Sequence, residues 1–371
     1  MCTEAAEFIV SGDQQLRAAL SGLKAGDHLK LRGGNYRGGL TLTGIKGTID
    51  RPVIIEALDP DSRPVFRGGS FSCHLVCCSH VTLKGLVAWD FPGNGINVDD
   101  GGNRGLGSTG VILEDLTITG TSGQGNHDAI KLSGLDEFKV IHCLVEGWGG
   151  SGVDMVGCHN GVIENCFFKG LPDSDEQSGV QAKGGSSRIT IRNNFFQNTG
   201  HRGVNVGGST GLPYFRPKDA RFEGEEIQVH NNLFSGGMAA VAFVNANRCS
   251  VRRNLIVFPE KWVFRVLQES RGERFPPCQK GMFQENVVVY DRRVRIGVNV
   301  GSGTDPDSFK LDGNRWYSND SRHRLNLGLP EGKGTHATFP ELRDGSDGLG
   351  IERKHPLFKG VGPDEGLFRK F

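Results

Sequence analysis

Apolar and polar positions alternate in short runs along most of the chain, and one phrase, apolar then variable then apolar, keeps returning. It reads Ile96-Asn97-Val98, Ile130-Lys131-Leu132, Val153-Asp154-Met155, Val180-Gln181-Ala182, Val204-Asn205-Val206 and Val241-Ala242-Phe243. Alternation with a period of two marks a strand with one buried face. From Lys131 the middle residues lie 23, 27, 24 and 37 residues apart, so one unit takes about 24 residues, and the longest insertion holds Gly211 to Glu226. A second phrase follows each copy at a nearly fixed offset and stacks Cys143, Cys166, Asn194, Asn232, Asn254, Asn286 and Asn314 in one column. Short strands separated by Gly/Asn turns cannot bury an inner face alone, but stacked units bury a continuous core and pair every strand. The pattern predicts an all-β chain, a single-domain right-handed parallel β-helix, with the Asn column as a buried side-chain ladder that satisfies turn backbone groups.

The ends fit this picture. Gln14 to Leu23 carries apolar residues at helical spacing after Ser11-Gly12-Asp13, so residues 1–26 are predicted to cap the first coil with a short helix. Residues 27–317 form the β-helix, and 318–371, rich in Gly, Pro and charge, a tail that packs along the solenoid or closes its other end.

Composition sharpens the exclusions. Gly supplies 56 of 371 residues, which suits many tight turns, and no apolar run reaches the ~18–20 residues of a membrane helix. Lys plus Arg number 43 against 42 Asp plus Glu; a net charge of +1 removes the general argument for nucleic-acid binding, so a charged ligand must be met locally. The start of the chain shows no basic segment followed by an apolar run, hence no readable export signal; a trimmed chain would be secreted or periplasmic, and otherwise cytoplasmic. Nine cysteines without paired metal-ligand spacing read as small core residues. No phosphate loop implies a nucleotide cofactor.

The middle residue of the repeated phrase faces outward on every coil, giving a column of Asn97, Lys131, Asp154, Gln181, Asn205, Ala242, Arg265 and Asn299. Successive coils lie about 4.8 Å apart, the scale of a sugar residue, so the column is a polar track for an extended polymer. Lys183 stands two residues beyond Gln181, and Asp128 and Arg202 lie three before the track, with His127 and His201 beside them. Proton-transfer groups thus gather on four neighbouring coils. The plainer reading of Lys131 and Asp154 is a solvated ion pair worth ~0–1 kcal/mol. The columns hold no Trp or Tyr; Trp148, Tyr214 and Phe215 fall in turns or insertions where they can form one wall of a cleft, and the segment Tyr214-Phe215-Arg216-Pro217 is placed to overhang the track.

Gln15-Leu16-Arg17-Ala18-Ala19-Leu20, Ala25-Gly26-Asp27, Gly33-Gly34-Asn35-Tyr36, Gly47-Thr48 and Arg51-Pro52-Val53 together resemble the opening of parallel β-helix polysaccharide lyases of the chondroitinase B and alginate lyase type. Val180 to Gly208 is similar to the coil that carries the catalytic lysine there. The resemblance implies a lysine base at Lys183, an arginine on the next coil at about position 207, and a calcium ion held by acidic and amide side chains. Position 207 is glycine here, and Arg202, five residues earlier, is the nearest substitute.

Three chemistries follow. In β-elimination on a uronic-acid polysaccharide, Lys183 is the base; Arg202 and Arg265 hold carboxylates; His201 or His127 serves as acid; Lys131 tunes Lys183; Asp154, Gln181, Asn205 and Asn97 bind hydroxyls or a cation, with Tyr214 and Arg216 at the rim. In glycoside hydrolysis, Asp128 and Asp154 form the pair, displaced by about 10 Å sideways and 5 Å vertically, which suits inversion. A non-catalytic carbohydrate-binding solenoid or an epimerase is the remaining reading. No cofactor is required by the sequence; oxygen ligands for calcium are available in Asp99, Asp100, Asp128 and Asp154. The partner in every case is a polysaccharide or oligosaccharide.

Overall fold

The computed structural model describes residues 5–102, 108–121, 125–171, 178–318, 322–323, 325–326, 328, 335–338 and 360–363. Most of the expected 318–371 tail lies outside them. The chain divides into two compact units, residues 1–166 and 167–371. Both are built from short strands paired in parallel, and the described residues hold one α-helix, so the fold is an all-β parallel β-helix.

In the first unit three sheets run side by side. One stacks Glu7–Val10, His28–Leu31, Val53–Ala57, Val81–Lys84, Ile112–Glu114, Lys139–Ile141 and Val162–Glu164; the second Leu40–Thr43, Cys73–Val76, Ile96–Asp99, Ile130–Ser133 and Ser151–Val156; the third Gly34–Arg37, Pro64–Arg67, Val87–Phe91, Thr117–Thr121 and Leu144–Glu146. The registers pair His74 with Asn97, Asn97 with Lys131, and Lys131 with Asp154, so the column read from the sequence is a ladder in space. Alternation sends Ile96, Val98, Ile130, Leu132, Val153 and Met155 into the core. The helix Gly12–Leu20 buries Leu16, which with Leu31, Leu40, Leu42, Ile55 and Phe66 lines an apolar interior.

The second unit repeats the plan. Its second sheet stacks Ser178–Lys183, Arg202–Gly207, Ala239–Val244, Trp262–Leu267 and Val298–Val300, pairing Gln181 with Asn205, Asn205 with Ala242, Ala242 with Arg265 and Arg265 with Asn299. Inside, Phe168, Phe196 and Phe234 stack nearly flat with centroids 5.0 and 4.8 Å apart.

The Asn column is a ladder. Asn194, Asn232, Asn254, Asn286 and Asn314 are buried, and each amide Nδ2 of the first four donates at 3.0 Å to Oδ1 of the next Asn. The same oxygens also accept the backbone N–H of the preceding rung, so the turn donors of Asn194, Asn232, Asn254 and Asn286 find partners. The residue before each rung, Asn193, Asn231, Arg253, Glu285 and Gly313, has φ between 54° and 65° for one reason: the chain turns a left-handed corner there. In the first unit Cys143 and Cys166 hold the corresponding positions of the second phrase, and the Cys143 N–H meets Cys166 Sγ at 3.4 Å; burial raises the Cys166 thiol well above its ordinary pKa. Asn254→Ala strands the Asn232 N–H and takes a donor from the Asn286 rung, while the Asn232 amide keeps the Ile191 and His230 carbonyls; the change is expected to cost about 2–4 kcal/mol in urea unfolding.

Candidate functional site

Two polar clusters stand on the second sheets, one in each unit. In the first unit, Lys131 Nζ hydrogen-bonds Asp154 Oδ2 and lies 3.2 Å from Asp128 Oδ2. Asp128 Oδ1 accepts the Ser151 N–H at 2.8 Å, and its own N–H donates to Asn94 Oδ1 at 2.7 Å, while Asn94 Nδ2 donates to Asn97 Oδ1 at 2.9 Å. Gly150 makes this possible, because a Cβ there would come 2.6 Å from Asp128 Oδ1. Asp128 and Asp154 are 1 % and 0 % exposed and Lys131 is half-buried over them, so this triad is not the solvated ion pair of the plainer reading.

One ammonium reaching both carboxylates holds their oxygens within about 6 Å of each other. The wide separation expected for an inverting pair is not found, because Asp128 sits in the turn before the strand and its side chain folds back three residues to Lys131. Burial, then the nearby Asp154 charge, push the Asp128 carboxyl up to about 6, against Lys131 and the Ser151 N–H. For Lys131, burial acts downward, but Asp154 and Asp128 together outweigh it and hold the ammonium above its ordinary value. A carboxyl with a raised folded pKa contributes stability that is complete below its ordinary value near 4 and is lost as pH rises through about 6. Thermal melting of Asp128→Asn is therefore expected to lack that loss between pH 4 and 6.5, on the order of 1–3 kcal/mol.

His127 lies in the turn before Asp128. Its carbonyl accepts the Gly149 and Gly150 N–H groups, and its buried Nδ1 finds no partner among the described residues. Trp148 is fully buried and serves the core instead of a cleft wall. One feature of this cluster escaped the sequence reading: His74 Nε2 hydrogen-bonds Asp99 Oδ2, both about three-tenths exposed. Cys73-His74-Leu75 carries the same repeated phrase one coil before Asn97, which was the available signal.

In the second unit, Lys183 is half-buried and its Nζ donates to Gln181 Oε1 at 3.0 Å. Arg202 Nη1 donates to Asn205 Oδ1 at 3.0 Å, and its Nη2 lies 3.4 Å from Glu269 Oε1; its buried Nε has no partner among the described residues. Arg265 Nε donates to Asn299 Oδ1 at 3.0 Å and the guanidinium stacks 4.0 Å over Trp262. Burial, then the charge of Arg202, lower Arg265 to about 10, with Glu269 opposing. The strands carrying the two arginines lie on either side of the strand Ala239–Val244. Ala242, paired with both Asn205 and Arg265, and Ala239, paired with Trp262, give the guanidiniums a low floor. Asn205 and Ala242 are buried, so the track is not an open stripe along its length.

Gly207 explains why arginine does not stand where the resemblance places it. Its φ is 99°, and a Cβ would meet the Val244 carbonyl oxygen at 1.7 Å. The arginine on that strand is Arg202, at its start. His201, half-buried, directly precedes that strand. The insertion is tied to the Lys183 coil by the Arg216 N–H on Gly184 O at 2.9 Å, and it leaves Tyr214 65 % exposed, while Phe215 is fully buried under the Arg274 guanidinium. Glu223, unforeseen from sequence, is fully buried and accepts from Gly184 N–H, Thr210 N–H, Thr210 Oγ1 and Ser270 Oγ at 2.7–2.9 Å, clamping the segments beside Lys183 and Glu269.

Among the described residues, no group of three or more His, Cys, Asp and Glu side chains is arranged to hold a metal. Asp128 and Asp154 are met by the Lys131 ammonium and Asp99 by His74, so these carboxylates do not fit a calcium ion and no step below runs through one.

Residues 73–256 match a family model described as a right-handed beta helix region. No curated protein sequence matches the chain. An alginate lyase from Paenibacillus sp. str. FPU-7 is similar over 89 % of this chain and 99 % of its own, at 18 % identity and a TM-score of 0.56. The Dettilon tailspike protein is similar over 88 % of this chain and 63 % of its own, at 13 % identity and a TM-score of 0.64. A lacto-N-biosidase from Eubacterium ramulus covers 90 % of this chain and 67 % of its own, at 14 % identity and a TM-score of 0.53. At such identities the likeness carries the fold, which is that of parallel β-helix polysaccharide lyases, and not the activity.

Proposed function

We propose that the chain degrades a uronic-acid-containing polysaccharide by β-elimination at the cluster of Lys183, Arg202 and Arg265. The observation that carries this is that the strands bearing Arg202 and Arg265 flank the strand of Ala239 and Ala242, in the same unit as a half-buried amine. Elimination needs three things: neutralisation of the C6 carboxylate, removal of the C5 proton, and a proton for the leaving oxygen. Arg202 presents a bidentate fork to the carboxylate, with Arg265 behind it. Lys183, steered by Gln181, is the base that accepts the C5 proton; the C5 electron pair becomes the C4–C5 double bond and the C4–O bond breaks. His201 donates to the departing oxygen. Asn205 orients the sugar through Arg202, and Tyr214 and Arg216 line the rim. By the same reading the helix Gly12–Leu20 caps the first coil, and the coils take about 24 residues.

A second reading, hydrolysis by Asp128 and Asp154, has the raised Asp128 carboxyl in its favour, since a carboxyl raised by burial can serve as an acid. Their burial and the Lys131 clamp count against it. Incubating the protein with polyuronates and neutral glycans, with and without chelator, while following ultraviolet absorbance and reducing ends, separates the two. Absorbance rising with reducing ends supports elimination; reducing ends alone contradict it.

A further inference from the structure

We infer that the third sheet of the first unit carries a separate binding strip for an acidic polysaccharide chain, built from Arg37, Arg67 and Trp89. These residues pair in register, Arg37 with Arg67 and Arg67 with Trp89, followed by Thr119 and Glu146, so they stand one coil apart on one outward column. All three are exposed, Trp89 by 47 %, which is unusual for so large an apolar side chain. The Arg67 guanidinium lies 5.9 Å over the indole, and neither Arg37 nor Arg67 makes an ion pair among the described residues. The surroundings are low. A Cβ on Gly68 would meet nothing within 4 Å, and Gly120, beside Trp89 on the next coil, lacks the Cβ that would press 3.5 Å from the indole Cδ1.

The acidic groups facing the strip are Asp13, whose Oδ1 accepts the Arg37 backbone N–H, Asp90 next to Trp89, and Glu146 at the far end. Positive charge is thus concentrated at the Arg37 and Arg67 end. Rungs about 4.8 Å apart approximate one sugar residue, so successive uronate carboxylates can meet successive guanidiniums while a sugar ring lies on the indole. A net charge of +1 argues for a glycan over a nucleic acid. The choice of an acidic glycan rests on the proposed function; the strip itself does not share residues with the Lys183 cluster.

Affinity electrophoresis in gels holding alginate, polygalacturonate or a neutral glucan tests it, using Lys183→Ala protein so that the polymer is not cut. Retardation by the polyuronates is expected, with at least tenfold weaker affinity when Trp89→Ala and Arg67→Ala are added and no change in melting temperature. With Lys183 intact, the Trp89→Ala, Arg67→Ala protein is expected to cleave short oligouronates at the unaltered rate. Retardation unaffected by the two substitutions, or no retardation at all, overturns the strip while leaving cleavage to be judged separately. Trp89-dependent retardation by a single-stranded oligodeoxynucleotide in place of the polyuronates also overturns it.

Discussion

Lys183→Ala is expected to lower the release of unsaturated ends from a polyuronate by a factor of about 10²–10⁴ while leaving the fold intact. The size follows from the role: among the described residues of the second unit no other amine is tied to Gln181 as Lys183 is, and a general base that contacts the reacting carbon is not replaced by water. The small structural effect follows from its setting. Lys183 is half-buried and makes a 3.0 Å bond to Gln181 Oε1, so its removal costs roughly 0.5–1.5 kcal/mol of stability. Lys183→Arg keeps the charge and the reach but not a base, and should be as inactive as alanine. Initial rates on polyuronate beside urea unfolding of the same proteins check this; loss of rate with matching loss of stability would mean a structural lysine.

Lys131→Met should have the largest effect on stability, about 3–5 kcal/mol at neutral pH. It leaves Asp128 and Asp154, both essentially unexposed, facing each other without the ammonium that now lies between them. Because the penalty is that of uncompensated carboxylate charge, it should shrink as pH falls and the carboxyls take up protons. Adding Asp154→Asn should recover part of it, which a double-mutant cycle in urea measures. A penalty that is flat with pH would show that packing of the lysine stem, and not charge, holds the triad.

The sequence made the ladders legible because register in a solenoid is dictated by side-chain period. Lys131 pairs with Asp154 and Gln181 with Asn205 as the repeated phrase requires, and the Asn rungs lie where the second phrase put them. Facing outward was legible; remaining exposed was not. Asp154 and Asn205 point away from the core yet are covered, since cover comes from neighbouring turns whose paths no periodicity encodes. The turn residue Asp128 was legible as a candidate, but its closeness to Lys131 was not, as its side chain folds toward Lys131 instead of extending along the strand. Trp148 and Phe215, in irregular segments, read as cleft walls but are core. Glu223 joins groups far apart in the chain and no local pattern announces it, whereas His74 lay on the repeated phrase and only its pairing with Asp99 was hidden.

The most direct measurement of the chemistry is cleavage of a polyuronate in oxygen-labelled water, with the products read by mass spectrometry. Elimination moves a proton and breaks the C4–O bond without consuming water, so the new ends should carry no label and one product should bear the C4–C5 double bond. Label fixed at every new reducing end would mean hydrolysis, and would transfer the reaction from Lys183 and Arg202 to a pair of carboxylates.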